Sequence, residues 1–312
     1  MVVADPFFIL APPRSFSSVV SAMLGQHPQM YGLPETQLFG TETMAEWWDL
    51  CSRASFPMTH GLLRAVSQLV FGEQTESTVQ LATAWLRRRS HFTTGMIFEV
   101  LAEKVYPLIL VEKSPSIVYR MEYLQRIYSM FPQAGFIHLV RHPRAQGESV
   151  MKAVREAAKF GPVPYWLLRL ASYRVDGILP ESCDPDPQRG WYLLHSNICR
   201  FLESVPDSRK LRVRSEDLLI DADTGLRQVA AWIGLRTDAE AIEEMKHPER
   251  SPYACFGPPG ATYGNDTFFL ESPALRPAQV KEQSLNGPLS WRGDGAGFST
   301  EVKRLAWQFG YE

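Results

Sequence analysis

Short continuous apolar runs alternate along the chain with longer stretches in which apolar residues recur every three or four positions. The first run, residues 7–10, has the length of a buried strand. Pro12 and Pro13 stop it, since proline extends neither a helix nor a central ladder. Directly behind, Phe16, Val19, Val20, Met23 and Leu24 share one helical face. Residues 30–33, 106–111, 135–140 and 211–214 read as further strands. Met44, Trp47, Trp48 and Cys51 suit one amphipathic helix, and Leu62, Leu63, Val66, Leu69 and Val70 another, so 41–105 reads as a helical insertion above the sheet. Val118, Met121, Leu124, Tyr128 and Phe131 mark a further helix, and 191–202, 226–233 and 298–309 predict three more. Strands alternating with helices predict an α/β fold, with a central parallel sheet flanked by helices.

Length permits one large α/β domain or two small ones, and the reading adopted is a single domain over all 312 residues. The 45% hydrophobic content suffices for a substantial core. A net charge of −2 gives no global basic field, so nucleic acid is not an expected partner. Cys51, Cys183, Cys199 and Cys255 are scattered, which predicts neither a zinc site nor a disulfide framework. There is no charged leader with an apolar core and no run approaching a membrane span. A cytoplasmic protein without a membrane anchor is the expectation. Residues 180–187 read as a polar, proline-rich loop. From 247 to 297 the chain turns rich in Pro and Gly, with aromatics at 253, 256, 263, 268 and 269. Such a long irregular stretch predicts a lid that closes over substrate. Arg87, Arg88 and Arg89 read as a solvated helix face, or as a docking patch for an acidic partner.

Candidate chemistry gathers where strands end, as open α/β sheets collect ligands there. The loop Pro12-Pro13-Arg14-Ser15-Phe16-Ser17-Ser18 brings backbone amides, hydroxyls and one guanidinium to a helix N-terminus, which makes an anion cradle. It lacks the Gly-Lys-Ser/Thr ending of a Walker A loop. Glu35 follows the second strand, where it either deprotonates a hydroxyl or starts a helix as an acidic first-turn residue. Lys113, in Glu112-Lys113-Ser114-Pro115, is either an active-site cation or an exposed lysine after a strand. Arg141-His142-Pro143-Arg144 ends the next strand, with Ser149 on the following helix. An arginine and a hydroxyl there can share one phosphate. His247, at the entrance of the expected lid, is a second acid/base candidate or a surface histidine before proline.

Together these motifs resemble the sulfotransferases that use 3′-phosphoadenosine 5′-phosphosulfate (PAPS), and the resemblance covers nearly the whole chain. Residues 12–18 look like the family's 5′-phosphosulfate loop, which implies donor contacts from Arg14, Ser15, Phe16, Ser17 and Ser18. Arg141 and Ser149 match its 3′-phosphate site. Pro34-Glu35-Thr36 is similar to the segment that carries the catalytic base of tyrosylprotein sulfotransferases, and Lys113-Ser114-Pro115 to the turn whose lysine points into the active site. Trp291-Arg292 is similar to the basic segment that closes over the 3′-phosphate, which implies a contact from Arg292. Arg214-Ser215-Glu216-Asp217-Leu218 departs from the family's pattern, because serine stands where a tyrosine packs near the adenine. Closer still, the motifs and His247-Pro248-Glu249-Arg250-Ser251-Pro252-Tyr253 look like sulfotransferase domains of olefin-forming modular polyketide synthases. That likeness implies a P-loop-like sulfotransferase fold, PAPS as donor, PAP as product and no metal. The implied acceptor is the β-hydroxyl of a 3-hydroxyacyl chain on an acyl carrier protein. A neighbouring thioesterase would then form a terminal alkene, and the chain would be one domain of a larger protein. Competing readings are a stand-alone sulfotransferase for a free small-molecule hydroxyl, a kinase using ATP, and a non-catalytic nucleotide- or carrier-binding module.

Overall fold

The computed structural model describes residues 4–54, 57–159, 161–163, 167, 168, 171, 185–276 and 283–312. Five strands form one sheet in the order β2-β3-β1-β4-β5, with every neighbouring pair parallel. They are β1 (Phe7–Leu10), β2 (Met30–Gly32), β3 (Ile109–Glu112), β4 (Gly135–Val140) and β5 (Lys210–Arg214). The chain leaves β1 towards β2 and leaves β4 towards β5, in opposite directions. A crevice therefore opens between the C-terminal ends of β1 and β4, the place where such sheets bind ligands.

Alternation along β1 divides the core. Phe8 and Leu10 point to one face and Ile9 to the other. The Phe8 ring lies 5.4 Å from Phe39, 5.6 Å from Phe98 and 5.9 Å from Phe136. That face is covered by α2 (Met44–Arg53), α3 (His60–Phe71), α4 (Glu76–Arg87), α5 (Thr94–Val105), α6 (Met121–Met130) and α8 (Pro187–Leu202). Ile9 and Ile137 face α1 (Ser17–Gly25), α9 (Ser215–Ile220), α10 (Ala222–Ile233) and α11 (Ala239–Met245). The described residues of the 41–105 stretch are thus mostly helical, and α2, α4 and α5 start where threonine side chains cap them. Thr43 accepts from the Glu46 N–H, Thr75 from Thr78 and Thr93 from Met96.

Several boundaries differ from the expected ones, three of them for visible local reasons. β3 starts at Ile109 rather than 106, because Pro107 has no N–H for the ladder and the Leu108 N–H turns back to the Val105 carbonyl. The strand therefore includes Glu112, and Lys113 stands at its tip. Phe16 is not in α1. It is the residue before it, with a left-handed backbone (φ 60°). Val118 lies in a 3-10 turn, Pro115–Tyr119, ahead of α6.

Between 247 and 297 the described residues hold a 3-10 turn, Pro248–Arg250, and the short helix α12 (Thr267–Glu271). Part of this stretch is tied down from below. Arg64 of α3 is fully buried and donates to the carbonyls of Cys255 (2.8 Å), Tyr263 (3.0 Å) and Pro252 (3.2 Å), and to Gln74 Oε1 (2.6 Å). The final helix, α13 (Thr300–Gln308), is capped by Ser299 and packs on α8 through Trp191 and Phe309. Residues 277–282, and most of the 180–187 loop, lie outside the described residues. No helix among the described residues is long and apolar enough to cross a membrane.

Candidate active site

Two cavities meet above the C-terminal ends of the strands. The larger, of about 1820 Å³, spans the ends of β1, β4 and β5, and its walls include Phe16, Arg141, Ser149, Arg214 and Tyr311. The smaller, of about 660 Å³, lies over the ends of β2 and β3, and its walls include Glu35, Gln37, Leu50, Met58, Ser116 and Tyr119. Arg14, Ser17, Ser18, Asp266 and Phe268 line both, so they form the seam between them.

The loop after β1 builds the larger cavity's floor. Arg14 and Phe16 both have left-handed backbones (φ 68° and 60°), which turns the chain tightly from the strand into α1. No side chain caps the N-terminus of α1, so its first amides keep their capacity for an anion. Arg141, at the end of β4, donates to the Arg14 carbonyl at 2.6 Å, and its guanidinium carbon stands 3.9 Å from the centre of the Phe16 ring. Its Nε is buried without a partner. Burial pulls the Arg141 pKa down to about 10, against the pull of the nearby Glu216 carboxylate, so the group stays cationic at neutral pH. Ser149 Oγ accepts from Arg14 Nε at 3.2 Å. His142 caps the next helix, α7 (Pro143–Ala158), by accepting from the Arg144 N–H at 3.1 Å, and burial holds it neutral with a pKa of about 4.

The seam carries an ion pair. Lys113, 1% exposed, donates to Ser18 Oγ at 2.9 Å and pairs with Glu35 Oε1. Burial raises the Glu35 pKa above the ordinary carboxylate value. The Lys113 charge and hydrogen bond oppose that rise, and Asp266 adds to it. Above, Asp266 pairs with Arg14, and Phe268 lies over the same guanidinium at 4.5 Å. The Glu35 N–H donates to the Gly264 carbonyl at 2.7 Å, which joins this roof to the base of the smaller cavity.

Arg14, Phe16, Ser17, Ser18, Arg141 and Ser149 therefore converge on the larger cavity. Glu35 lines the smaller one, and Lys113 lines neither but, buried, reaches Ser18 and Glu35 beside the seam. Ser15 is fully buried beneath the loop, its Oγ unpartnered, and lines neither cavity. His247 is not brought in. It lines neither cavity and sits 2.9 Å from Glu249 and 3.5 Å from Glu243, just ahead of the 3-10 turn Pro248–Arg250. Nor does Arg292 reach either cavity wall; Asp186 (2.6 Å) and Asp294 hold it. Its neighbour Trp291 packs against Gly147 of α7.

Several residues at the site carry no signal in the sequence. Tyr311 supplies an aromatic ring beside Arg214 and Glu216, the two neighbours of Ser215, where the family pattern has tyrosine in the chain itself. Its hydroxyl donates to Glu216 Oε2 at 2.9 Å, and Glu216 Oε1 accepts from the His142 N–H at 2.8 Å. Asp266 and Gln37 belong to stretches without motif or periodicity. Gly61, at the start of α3, has a visible reason: a Cβ there would lie 1.9 Å from the Glu35 carbonyl oxygen. Gly61→Ala should cost about 1–3 kcal/mol and displace Glu35. The expected outcome is a lower denaturation midpoint together with lower turnover; wild-type values for both would contradict this packing.

The sequence model of the sulfotransferase family matches residues 6–239. Among solved structures, the sulfotransferase domain from the curacin biosynthetic pathway is similar with a TM-score of 0.73 and 21% identity, covering 100% of this chain and 99% of that one. The sulfotransferase domain of the Synechococcus PCC 7002 olefin synthase also gives 0.73, at 24% identity, covering 99% and 96%. No curated protein matches the chain.

Proposed function

This chain belongs to the sulfotransferase family, and we propose that it moves a sulfuryl group from PAPS to the β-hydroxyl of a 3-hydroxyacyl chain on an acyl carrier protein. The observation that carries the reading is the seam, where the Glu35–Lys113 pair stands beside Arg14, Ser17 and Ser18, which face both cavities. The larger cavity suits a donor with an anion at each end. One cationic donor, Arg141 Nε, is buried there without a partner, and the N-terminus of α1 has no side-chain cap. PAPS supplies an activated sulfuryl group on its 5′-phosphate and a second phosphate on the 3′ carbon. Arg141 and Ser149 would hold the 3′-phosphate, and residues 14–18 the 5′ end.

Glu35 takes the proton of the acceptor hydroxyl as the new oxygen–sulfur bond forms. Lys113 and Arg14 hold positive charge beside the oxygen whose bond to sulfur breaks, where negative charge develops. Leu50 and Met58 give the smaller cavity an apolar wall that suits an acyl chain. The segment with Asp266 and Phe268 acts as the lid, closing the seam against water. The curacin-pathway and olefin-synthase domains support the carrier-bound acceptor by likeness of fold. A thioesterase acting next would release the sulfated acid, which loses carbon dioxide and sulfate to leave a terminal alkene.

The test is to incubate the protein with PAPS and a 3-hydroxyacyl group, once on a carrier protein and once as a free thioester. The expected result is a mass gain of one sulfuryl group on the carrier-bound chain alone. Equal sulfation of both acceptors would favour a stand-alone enzyme for free hydroxyls. Glu35→Gln should lower the carrier-bound rate about 10²- to 10⁴-fold with PAP affinity retained. Wild-type turnover in that variant would remove Glu35 as the base.

A further inference from the structure

We propose that Gln37 is a positioning residue, which holds the Glu35 carboxylate for proton transfer through a hydrogen-bonded bridge anchored on the buried Glu112. The inference rests on the reading of Glu35 as the base. Gln37 has a left-handed backbone (φ 56°, ψ 21°), a conformation that non-glycine residues keep only where their surroundings fix it. Here every polar group of the residue is engaged. Its N–H donates to Ser114 Oγ at 3.0 Å, and its carbonyl accepts from Trp47 Nε1 at 3.1 Å. Its side-chain Oε1 accepts from Ser116 Oγ, and its Nε2 donates to Glu35 Oε2 at 3.3 Å.

The bridge continues downward. The Ser114 hydroxyl, which accepts from Gln37, donates in turn to Glu112 Oε1. Glu112 is fully buried, and the same oxygen accepts from Thr36 Oγ1 at 2.9 Å and from the Thr36 N–H at 3.4 Å. The ends of β2 and β3 are thereby locked together beneath the site. Glu35 then has one protein donor on each oxygen, Lys113 on Oε1 and Gln37 on Oε2. Two donors fix the carboxylate plane, and the lone pairs left over serve the acceptor hydroxyl. The acceptor-only Glu35 carboxylate selects the NH2 end of the amide, and the Ser116 hydroxyl anchors the other end by donating to Oε1.

Lys113, from the residue just past β3, lowers the Glu35 pKa, and Asp266, from the segment above, raises it. Arg14 lines the same cavity. Against these fixed charges, a donor on Oε2 favours the ionised form. Its loss must therefore raise the protonation midpoint of Glu35.

Gln37→Asn separates side chain from backbone, because asparagine tolerates the left-handed region but its amide is too short to reach Glu35. Ser116→Ala leaves that backbone untouched and frees the amide to turn. The readout is the infrared pH titration of the Glu35 carboxyl band, isolated by subtracting the same spectra of Glu35→Gln. The expected result is a higher midpoint in both variants. With the carrier-bound 3-hydroxyacyl acceptor, kcat should fall about tenfold in Gln37→Asn and less in Ser116→Ala, with KM for PAPS unchanged. An unmoved midpoint in both variants overturns the inference even in an active enzyme. A raised midpoint in a protein that sulfates neither acceptor leaves the positioning intact and sinks the transfer reading instead.

Discussion

Turnover should fall about 10²- to 10³-fold when Lys113 is replaced by alanine, the size of effect that follows removal of one preorganised charge at a developing anion. Two contacts go at once, the hydrogen bond to Ser18 and the pairing with Glu35. The pH dependence gives the loss a signature. Burial already raises the Glu35 pKa, and Lys113 is the main influence opposing it. Without the ammonium the pKa rises further, so the acid limb of kcat/KM moves to higher pH. Stability follows the same sign. A carboxyl whose folded pKa lies above its unfolded one destabilises the fold as pH climbs from the ordinary carboxylate range through the raised value. Lys113→Ala should accordingly lose more stability at neutral pH than at pH 4. Activity and melting profiles measured against pH in wild type, Lys113→Ala and the bulkier Lys113→Met check this. An acid limb that moves down, or stays in place, would refute the coupling between these two residues.

Arg141→Ala should weaken PAP binding about a hundredfold, within the range for truncating one partner of a buried, hydrogen-bonded charge pair. The arginine has three tasks visible in the structure. It braces the left-handed turn by donating to the Arg14 carbonyl, it stacks on Phe16, and it leaves Nε directed at no protein group. Lysine cannot reproduce the planar fork or the stacking, so Arg141→Lys should recover little of the loss. Ser149→Ala, which removes one hydroxyl, should cost about tenfold or less. Calorimetric titration with PAP at two salt concentrations measures all three variants, and the salt dependence should weaken in Arg141→Ala. Affinity within threefold of wild type would move the 3′-phosphate away from this end of the cavity.

Much of the scaffold could be read from the chain because its signals are local. A continuous apolar run ended by Pro12 and Pro13 specifies β1 and its stop without outside help, and the fully buried β4 shows the same plain pattern. Arg14, Lys113 and Arg141 were legible for a related reason: each stands within a few residues of a strand end, so placing the strand places the side chain. What escaped is fixed by contacts distant in sequence. Asp266 meets Arg14 across 252 positions, and Tyr311 meets Glu216 across 95. No window of sequence contains both partners. Nothing near Arg64 in the sequence marks it as buried, yet it is fully buried because carbonyls from 252, 255 and 263 converge on it. His247 is the reverse case: a histidine at the entrance of an irregular stretch offers a chemical role or a surface one, and the residues that decide between them, Glu243 and Glu249, carry no signal of their own.

The division of the sheet into two territories has a consequence for engineering. Apart from the five residues they share, the larger cavity takes walls from the ends of β1, β4 and β5 and from the C-terminal part of the chain, whereas the smaller takes them from the ends of β2 and β3, from the helical insertion, and from Pro13, Ala153, Leu167, residues 263–265 and Thr267. A library confined to Leu50, Pro57, Met58, Tyr119 and Tyr123 would reshape the smaller pocket without altering any wall residue of the larger. New acceptors could then be selected on a constant donor module, with the Glu35–Lys113 seam kept as the shared hinge of every variant.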